Sequence, residues 1–289
     1  MASKEISFLI ISDTHENLSQ VKALTTYLHN NPKKIDYVIH CGDIVTVPDN
    51  QQNLIQSHYR YEPLIKEILL ELETLNAQLI YVPGNHEPSS LFKGENSPAI
   101  TPTSINLHSN IFKLSDDLYM IGVGGSIPIL IGENYEIKQM PFSDLKRQNV
   151  LWEGFPYNFP GEDNYIKSDD MLNLYLENAL NKVKEINPNA QIILLSHIGP
   201  LYTWTNVTVY KRKNLFLGSE KIGNLLMEDK NIFVNFHGHS HTAKGVVHLG
   251  EGQIVMNPGD LSSGNFGLCT ISKKEDDKWE VINTSLNCL

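Results

Sequence analysis

Five short apolar runs of this chain each give way to side chains that can bind metal, and helical stretches separate the runs. Residues 8–11 lead into Asp13-Thr14-His15, and residues 37–39 into Gly42-Asp43. Residues 79–82 lead into Gly84-Asn85-His86, and residues 192–195 into His197. Residues 232–234 lead through Asn235-Phe236 to Gly238-His239-Ser240-His241. Runs of this length, β-branched and closed by Gly, Pro or polar residues, read as buried strands. Open α/β sheets bind their ligands just beyond the carboxyl ends of the strands. One edge of the fold therefore collects two Asp, one Asn and several His.

Between the runs, apolar residues recur at helical spacing. Val21, Leu24 and Leu28 share a face over 20–29, and Leu64, Ile65, Ile68, Leu69, Leu72 and Leu75 share one over 63–75. Pro63 is expected in the first turn of that second helix. A third helix is expected over 171–186, with Asp169 and Asp170 as capping residues, and a shorter one over 219–227. Alternating strands and helices predict a mainly parallel sheet with right-handed crossovers. Residues 118–123 form a further strand. After His241 the long helical pattern stops, and residues 245–249, 254–256, 268–272 and 279–283 read as short antiparallel strands. The expected fold is α/β, with two packed mixed sheets and helices outside. No repeat or linker divides the chain, so residues 1–289 are expected to form a single domain. The least regular stretch, 126–168, holds Trp152, Phe155, Tyr157, Phe159 and Tyr165. It reads as a self-packed loop or as a lid over a substrate pocket.

The 289 residues carry a net charge of −10, which argues against a basic face for nucleic acid. An anionic substrate stays possible, because bound cations reverse the charge locally. Cys41, Cys269 and Cys288 have neither disulfide-framework nor zinc-finger spacing and fit a reducing compartment. No apolar stretch approaches the ~20 residues of a membrane span. The run at 8–11 is too short for a signal-peptide core. The expected location is the cytoplasm.

Two residues apart on an extended segment means the same side, so Asp13 and His15 are expected to reach one ion. His239 and His241 are expected to lie on one side for the same reason. Asp43 follows a glycine that lets the backbone turn sharply, although an Asp after a strand is also a common turn former. Asn85 is a good oxygen ligand for a hard cation. A mononuclear site needs only three or four ligands, and seven candidates fit two ions sharing a carboxylate. His40 and His237 are assigned to packing around the ligands rather than to ligation. His29, His58, His108 and His248 have no partner pattern. Trp204 and one basic residue of 211–213 could approach a phosphate, although a solvated basic loop explains that stretch as well.

These five blocks, in this order, resemble the calcineurin-like metallophosphoesterases. The resemblance implies a four-layer α/β/β/α sandwich with a dinuclear metal site. It implies that Asp13, His15, Asp43 and His241 hold the first ion, and that Asp43 bridges to a second held by Asn85, His197 and His239. His86 would be the non-ligand histidine that stabilises the transition state or protonates the leaving group. Two cations roughly 3.5–4 Å apart would polarise a bridging water for in-line attack. The N and O donors suit Mn, Fe or Zn. The implied activity is hydrolysis of small-molecule phosphate esters, phosphodiesters ahead of monoesters. Protein phosphatases of the family continue the Gly-Asp block with Asp-Arg-Gly, where this chain has Ile44-Val45-Thr46. Glu16-Asn17 stands where many relatives have Gly-Asn, and Asp260 ends a turn that many close with Ser. The alternatives are a phosphomonoesterase or protein phosphatase, or a protein-binding scaffold resembling the retromer phosphoesterase-like subunit. Oligomeric state stays open.

Overall fold

A computed structural model describes residues 4–47, 55–126, 130–131, 137–138, 168–201, 203–210, 213–250, 252–274 and 277–289. Its first half runs β1 (Glu5–Ile11), α1 (Leu18–Asn30), β2 (Tyr37–His40), α2 (Ile55–Glu73), β3 (Gln78–Tyr81), β4 (Ile105–Asn106), β5 (Ile111–Ser115) and β6 (Leu118–Val123). The two-residue strands β7 (Leu130–Ile131) and β8 (Ile137–Lys138) precede α3 (Ser168–Ile186) and β9 (Gln191–Ser196). A hairpin of β10 (Val207–Tyr210) and β11 (Lys213–Phe216) leads into α4 (Glu220–Glu228) and β12 (Ile232–Phe236). Then follow β13 (Gly245–Leu249), β14 (Gln253–Asn257), β15 (Asn265–Lys273) and β16 (Trp279–Cys288).

Two six-stranded sheets form, in the orders β16-β15-β1-β2-β3-β4 and β13-β14-β12-β9-β6-β5. In the first, β1 to β4 are parallel and β15 lies antiparallel to β1. In the second, β14, β12, β9 and β6 are parallel, with β13 and β5 antiparallel at the edges. Strands covered on both faces must be apolar on both, and β1 shows how the pleat divides them. Ile6, Phe8 and Ile10 point to a core shared with Met120, Ile193, Phe236 and Met256 of the other sheet. Leu9 and Ile11 point the other way, to Leu24 of α1 and Ile65 and Leu69 of α2. On the far side α3 and α4 bring Leu176 and Ile222 over Ile121, Leu194 and Ile232. The layers are thus α/β/β/α, as expected.

Four local expectations differ. Pro63 lies inside α2, because the helix begins at Ile55 and Tyr61 adds to its buried face. Pro63 itself is on the exposed face, where the loss of one N–H does least harm. Asp169 and Asp170 fall within α3 instead of capping it. β14 is antiparallel to β13, as expected, but parallel to its other neighbour, β12. β15 and β16 are long strands of nine and ten residues. Ser219 caps α4 by accepting from Ile222 N at 3.2 Å. The aromatic stretch 152–165 lies outside the described residues. Among the described residues no helix is long and apolar enough to cross a membrane.

Candidate metal centre

The carboxyl ends of β1, β2 and β3 stand side by side in one sheet, and those of β9 and β12 stand side by side in the other. Beyond β1 and β2 the two loops keep pairing. Asp13 N donates to Gly42 O at 2.9 Å, His15 N to Asp43 O at 3.0 Å, and Glu16 N to Ile44 O at 2.9 Å. Gly238 N likewise donates to His197 O at 2.9 Å, joining the loops after β9 and β12.

These loops are not strand continuations. Asp13 (φ 52°), His15 (φ 46°), Asp43 (φ 55°) and His239 (φ 68°) all occupy the left-handed region. Each such residue costs roughly 1–2 kcal/mol relative to ordinary backbone. Strain concentrated at one spot is what functional loops retain. It also changes the reading of the spaced pairs. Asp13 and His15 do converge, but through left-handed turns and not through strand alternation. His239 and His241 enter different groups, as the resemblance implies, and both groups contain Asp43.

Ligand-capable atoms of Asp13, His15, Asp43 and His241 lie within 4.8 Å of one another, and those of Asp43, His197 and His239 form a second such group. Asp43 belongs to both. His241 Nε2 is 3.2 Å from Asp13 Oδ1 and 3.1 Å from His15 Nε2. Asp43 Oδ2 is 3.9 Å from His15 Nε2 and 3.3 Å from His197 Nε2. Asn85 Oδ1 joins the second group, 2.8 Å from His197 Nε2. All seven expected ligands therefore meet at one place. His86 stands beside them without entering either group. Its backbone N donates to Asp43 Oδ1 at 3.0 Å, and its ring centroid is 5.6 Å from that of His15. Its Nδ1 is buried without a hydrogen-bond partner.

The donors suit a divalent cation. All are N or O atoms, and the buried Asp13 Oδ1 has no well-aligned donor of its own. The rings are held so that one nitrogen faces inward. His197 Nδ1 donates to Cys41 O at 2.8 Å, which leaves Nε2 towards Asp43. His15 Nδ1 pairs with Thr46 Oγ1 at 2.9 Å. Such supports fix the tautomer of a ligating histidine. Close approach requires glycine: a Cβ on Gly84 would collide with Asp43 Oδ1, and one on Gly42 (φ +100°) would lie 2.6 Å from Gly84 N.

Burial pushes the Asp43 and Asp13 carboxyls up, but the imidazoles around them prevail. Asp43 is held well below the carboxylate range by His197, and Asp13 below it by His241 and His197. Burial favours a neutral His197, yet the charges of Asp43 and Asp13 and the Cys41 carbonyl raise its pKa to about 9. In the metal-free chain these charges favour the imidazolium form of His197. A ligating histidine must be neutral, so metal binding expels that proton. Affinity is therefore expected to weaken as the pH falls below about 9. Calorimetric titration with Mn at pH 7.5, in buffers of different ionisation enthalpy, should show about one proton or more released per chain. No release would remove the imidazolium from the account.

Sequence reasoning passed over Glu87. It is fully buried, and its carboxylate accepts from the backbone N of Gly84 at 2.6 Å, Asp43 at 3.2 Å and Val45 at 3.3 Å, and from that of Ile44. Burial and the charge of Asp43 push its pKa up, to about 8. The four donors fill the lone-pair sites of an ionised carboxylate and oppose that rise. The available signal was an acid directly after Gly84-Asn85-His86. His40 and His237 act as their assignment anticipated. His40 Nδ1 accepts from Gly42 N at 3.1 Å and Nε2 pairs with Thr14 Oγ1 at 2.7 Å; His237 pairs with Gly238 O at 3.0 Å and Thr205 Oγ1 at 2.9 Å. Burial holds both rings neutral, with pKa values lowered to about 3.

Sandwich and site together define a metallophosphoesterase, and the comparison with known families agrees. The profile of the calcineurin-like phosphoesterases matches residues 6–254, and the chain belongs to that family. No curated protein matches it in sequence. Among solved structures, the protein TT1561 of Thermus thermophilus is similar with a TM-score of 0.55 at 17% identity, over 97% of this chain and 99% of that one. The NAD nucleotidase of Haemophilus influenzae has a TM-score of 0.55 at 16% identity, over 99% of this chain and 56% of that one. Phosphopantetheinyl hydrolase from Mycobacterium tuberculosis has a TM-score of 0.55 at 15% identity, over 89% of this chain and 90% of that one. At these identities the likeness is one of fold.

Proposed function

We propose that this chain hydrolyses small-molecule phosphate esters, phosphodiesters ahead of monoesters, at a centre of two divalent ions. The observation that carries this is Asp43, the one carboxylate common to both ligand groups. Asp13, His15, Asp43 and His241 are assigned to one ion; Asp43, Asn85, His197 and His239 to the other. Bound cations would supply Lewis-acid stabilisation of phosphoryl charge and activate the attacking water.

The chain's own residues do the rest. Asp13 and Asp43 bring two negative charges to a place that would receive four positive ones, so the centre attracts an anion although the chain's net charge is −10. The strained loops hold the ligands in place before substrate arrives, which spares reorganisation during reaction. Residues 44–46 carry no guanidinium for the second charge of a monoester, which favours the diester. His86, beside the centre but outside both groups, is assigned the proton that the departing alkoxide takes up. Cys41, Cys269 and Cys288 are free thiols, which fits a cytoplasmic setting.

The test of His86 separates leaving groups. With Mn bound, His86→Ala should slow hydrolysis of an alkyl diester by about a hundredfold or more. A p-nitrophenyl diester, whose leaving group needs little protonation, should lose less than about tenfold. Metal content should not change. Equal losses on both substrates would contradict the proton-donor role. No turnover on any phosphoester, by chain with two ions bound, would favour a protein-binding scaffold.

A further inference from the structure

Trp204 is 67% exposed, while Thr205 and Asn206 directly after it are fully buried. The backbone after Trp204 is tied to the segments that flank His197, His239 and His241. Thr205 Oγ1 pairs with His237 Nε2 at 2.9 Å. Asn257 Nδ2 donates both to Thr205 O at 2.9 Å and to Ser240 O at 3.0 Å, so these two carbonyl oxygens lie within about 6 Å of each other. Ser240 is the residue between His239 and His241. Asn206 Oδ1 accepts from Gly199 N at 3.3 Å, and Asn206 Nδ2 donates to Pro200 O at 2.8 Å, which joins the same turn to the segment after His197. The Phe216 ring stands beside Trp204, with centroids 5.8 Å apart and planes 52° from parallel. A large aromatic ring is thus open to solvent on a turn hydrogen-bonded to the segments that carry His197, His239 and His241. An indole left this exposed contributes little to the core. It leaves an apolar ring available to a ligand.

We propose that Trp204, backed by Phe216, is the subsite for a planar ring carried by the substrate: the nucleobase or aryl group of a phosphodiester. This rests on the phosphoesterase reading above and narrows its substrate class. Rings stack on aromatic side chains without needing specific hydrogen bonds, and the expected effect of one such contact is about tenfold in binding. The scissile phosphate would sit at the centre while the ring lies over Trp204. Trp204 therefore sets which ester binds and takes no part in the bond that breaks.

The experiment compares three diesters with Mn bound: the methyl ester of adenosine 5′-monophosphate, methyl phenyl phosphate, and the ring-free glycerophosphoethanolamine. Trp204→Ala should raise KM for at least one ring-bearing ester by about tenfold. It should leave kcat within about twofold and the ring-free ester unchanged. Trp204→Phe should restore most of the loss. An effect confined to the adenosine ester makes the ring a nucleobase; one confined to the phenyl ester makes it an aryl group. Unchanged parameters on all three substrates, or an equal loss on all three, would overturn the subsite. If the unaltered chain hydrolyses none of them, the phosphoesterase reading fails and the subsite is judged by binding. Adenosine 5′-monophosphate should then bind the Mn-loaded chain about tenfold tighter than ribose 5-phosphate, and Trp204→Ala should abolish the difference. Equal binding of the two by the unaltered chain would overturn it.

Discussion

Asp43→Asn is expected to leave the fold standing, remove at least one ion per chain, and lower turnover about a thousandfold. Asparagine has the shape of aspartate. Its carbonyl oxygen can keep the 3.0 Å hydrogen bond from His86 N. The amide nitrogen then takes the place of Oδ2, the oxygen 3.3 Å from His197 and 3.9 Å from His15. An N–H group aimed at a cation repels it, and the charge shared by both groups is gone. Several kcal/mol of electrostatic stabilisation are lost where charge develops, which is the source of the thousandfold figure. Elemental analysis of the purified variant checks the first half of the expectation and steady-state rates the second. Unchanged metal content would show that Asp43 is not the shared ligand.

Glu87→Ala is expected to be the most destabilising single change at the site. Four backbone N–H groups, those of Asp43, Ile44, Val45 and Gly84, lose their common acceptor in a region closed to water. Leaving buried N–H donors without an acceptor costs roughly 1–3 kcal/mol each, so the loss amounts to several kcal/mol. For a chain of this size that corresponds to a fall of about 5–15 °C in Tm. Glu87→Gln should recover only part of it, because its NH2 group would face an N–H donor. The effect also reaches the centre, since those donors set the left-handed turn at Asp43 (φ 55°). Thermal unfolding of the metal-free variants isolates the structural cost, and a Tm within about 2 °C of the unaltered chain would refute the brace.

Residue type and order carried much of this. Ile6, Phe8 and Ile10 against Leu9 and Ile11 show why β1 could be read from pattern: a strand covered on both faces is apolar on both. The candidate ligands could be named because five such runs in order each end in Asp, Asn or His and together resemble one family; any one of them alone would read as a turn former or a core residue. What could not be read was conformation. Asp and His enter the left-handed region more often than most residues, but the sequence does not single out Asp13, His15 or His239, whose backbone partners lie far away in the chain, such as Gly42 O for Asp13 N. The division of His239 from His241 between two groups followed from the resemblance and not from their spacing. The antiparallel pairing of β14 with β13 was legible, but its parallel pairing with β12, which precedes β13 in the chain, was not. Pro63 misled because a residue often found at helix starts sits here on the exposed face of a helix that begins earlier.

The account stands on two cations sharing Asp43. Anomalous diffraction from crystals of the Mn-loaded chain measures this directly. It should show two peaks about 3.5–4 Å apart, one among Asp13, His15, Asp43 and His241, the other among Asp43, Asn85, His197 and His239. A single peak, or a pair of peaks in which Asp43 contacts only one ion, would contradict it.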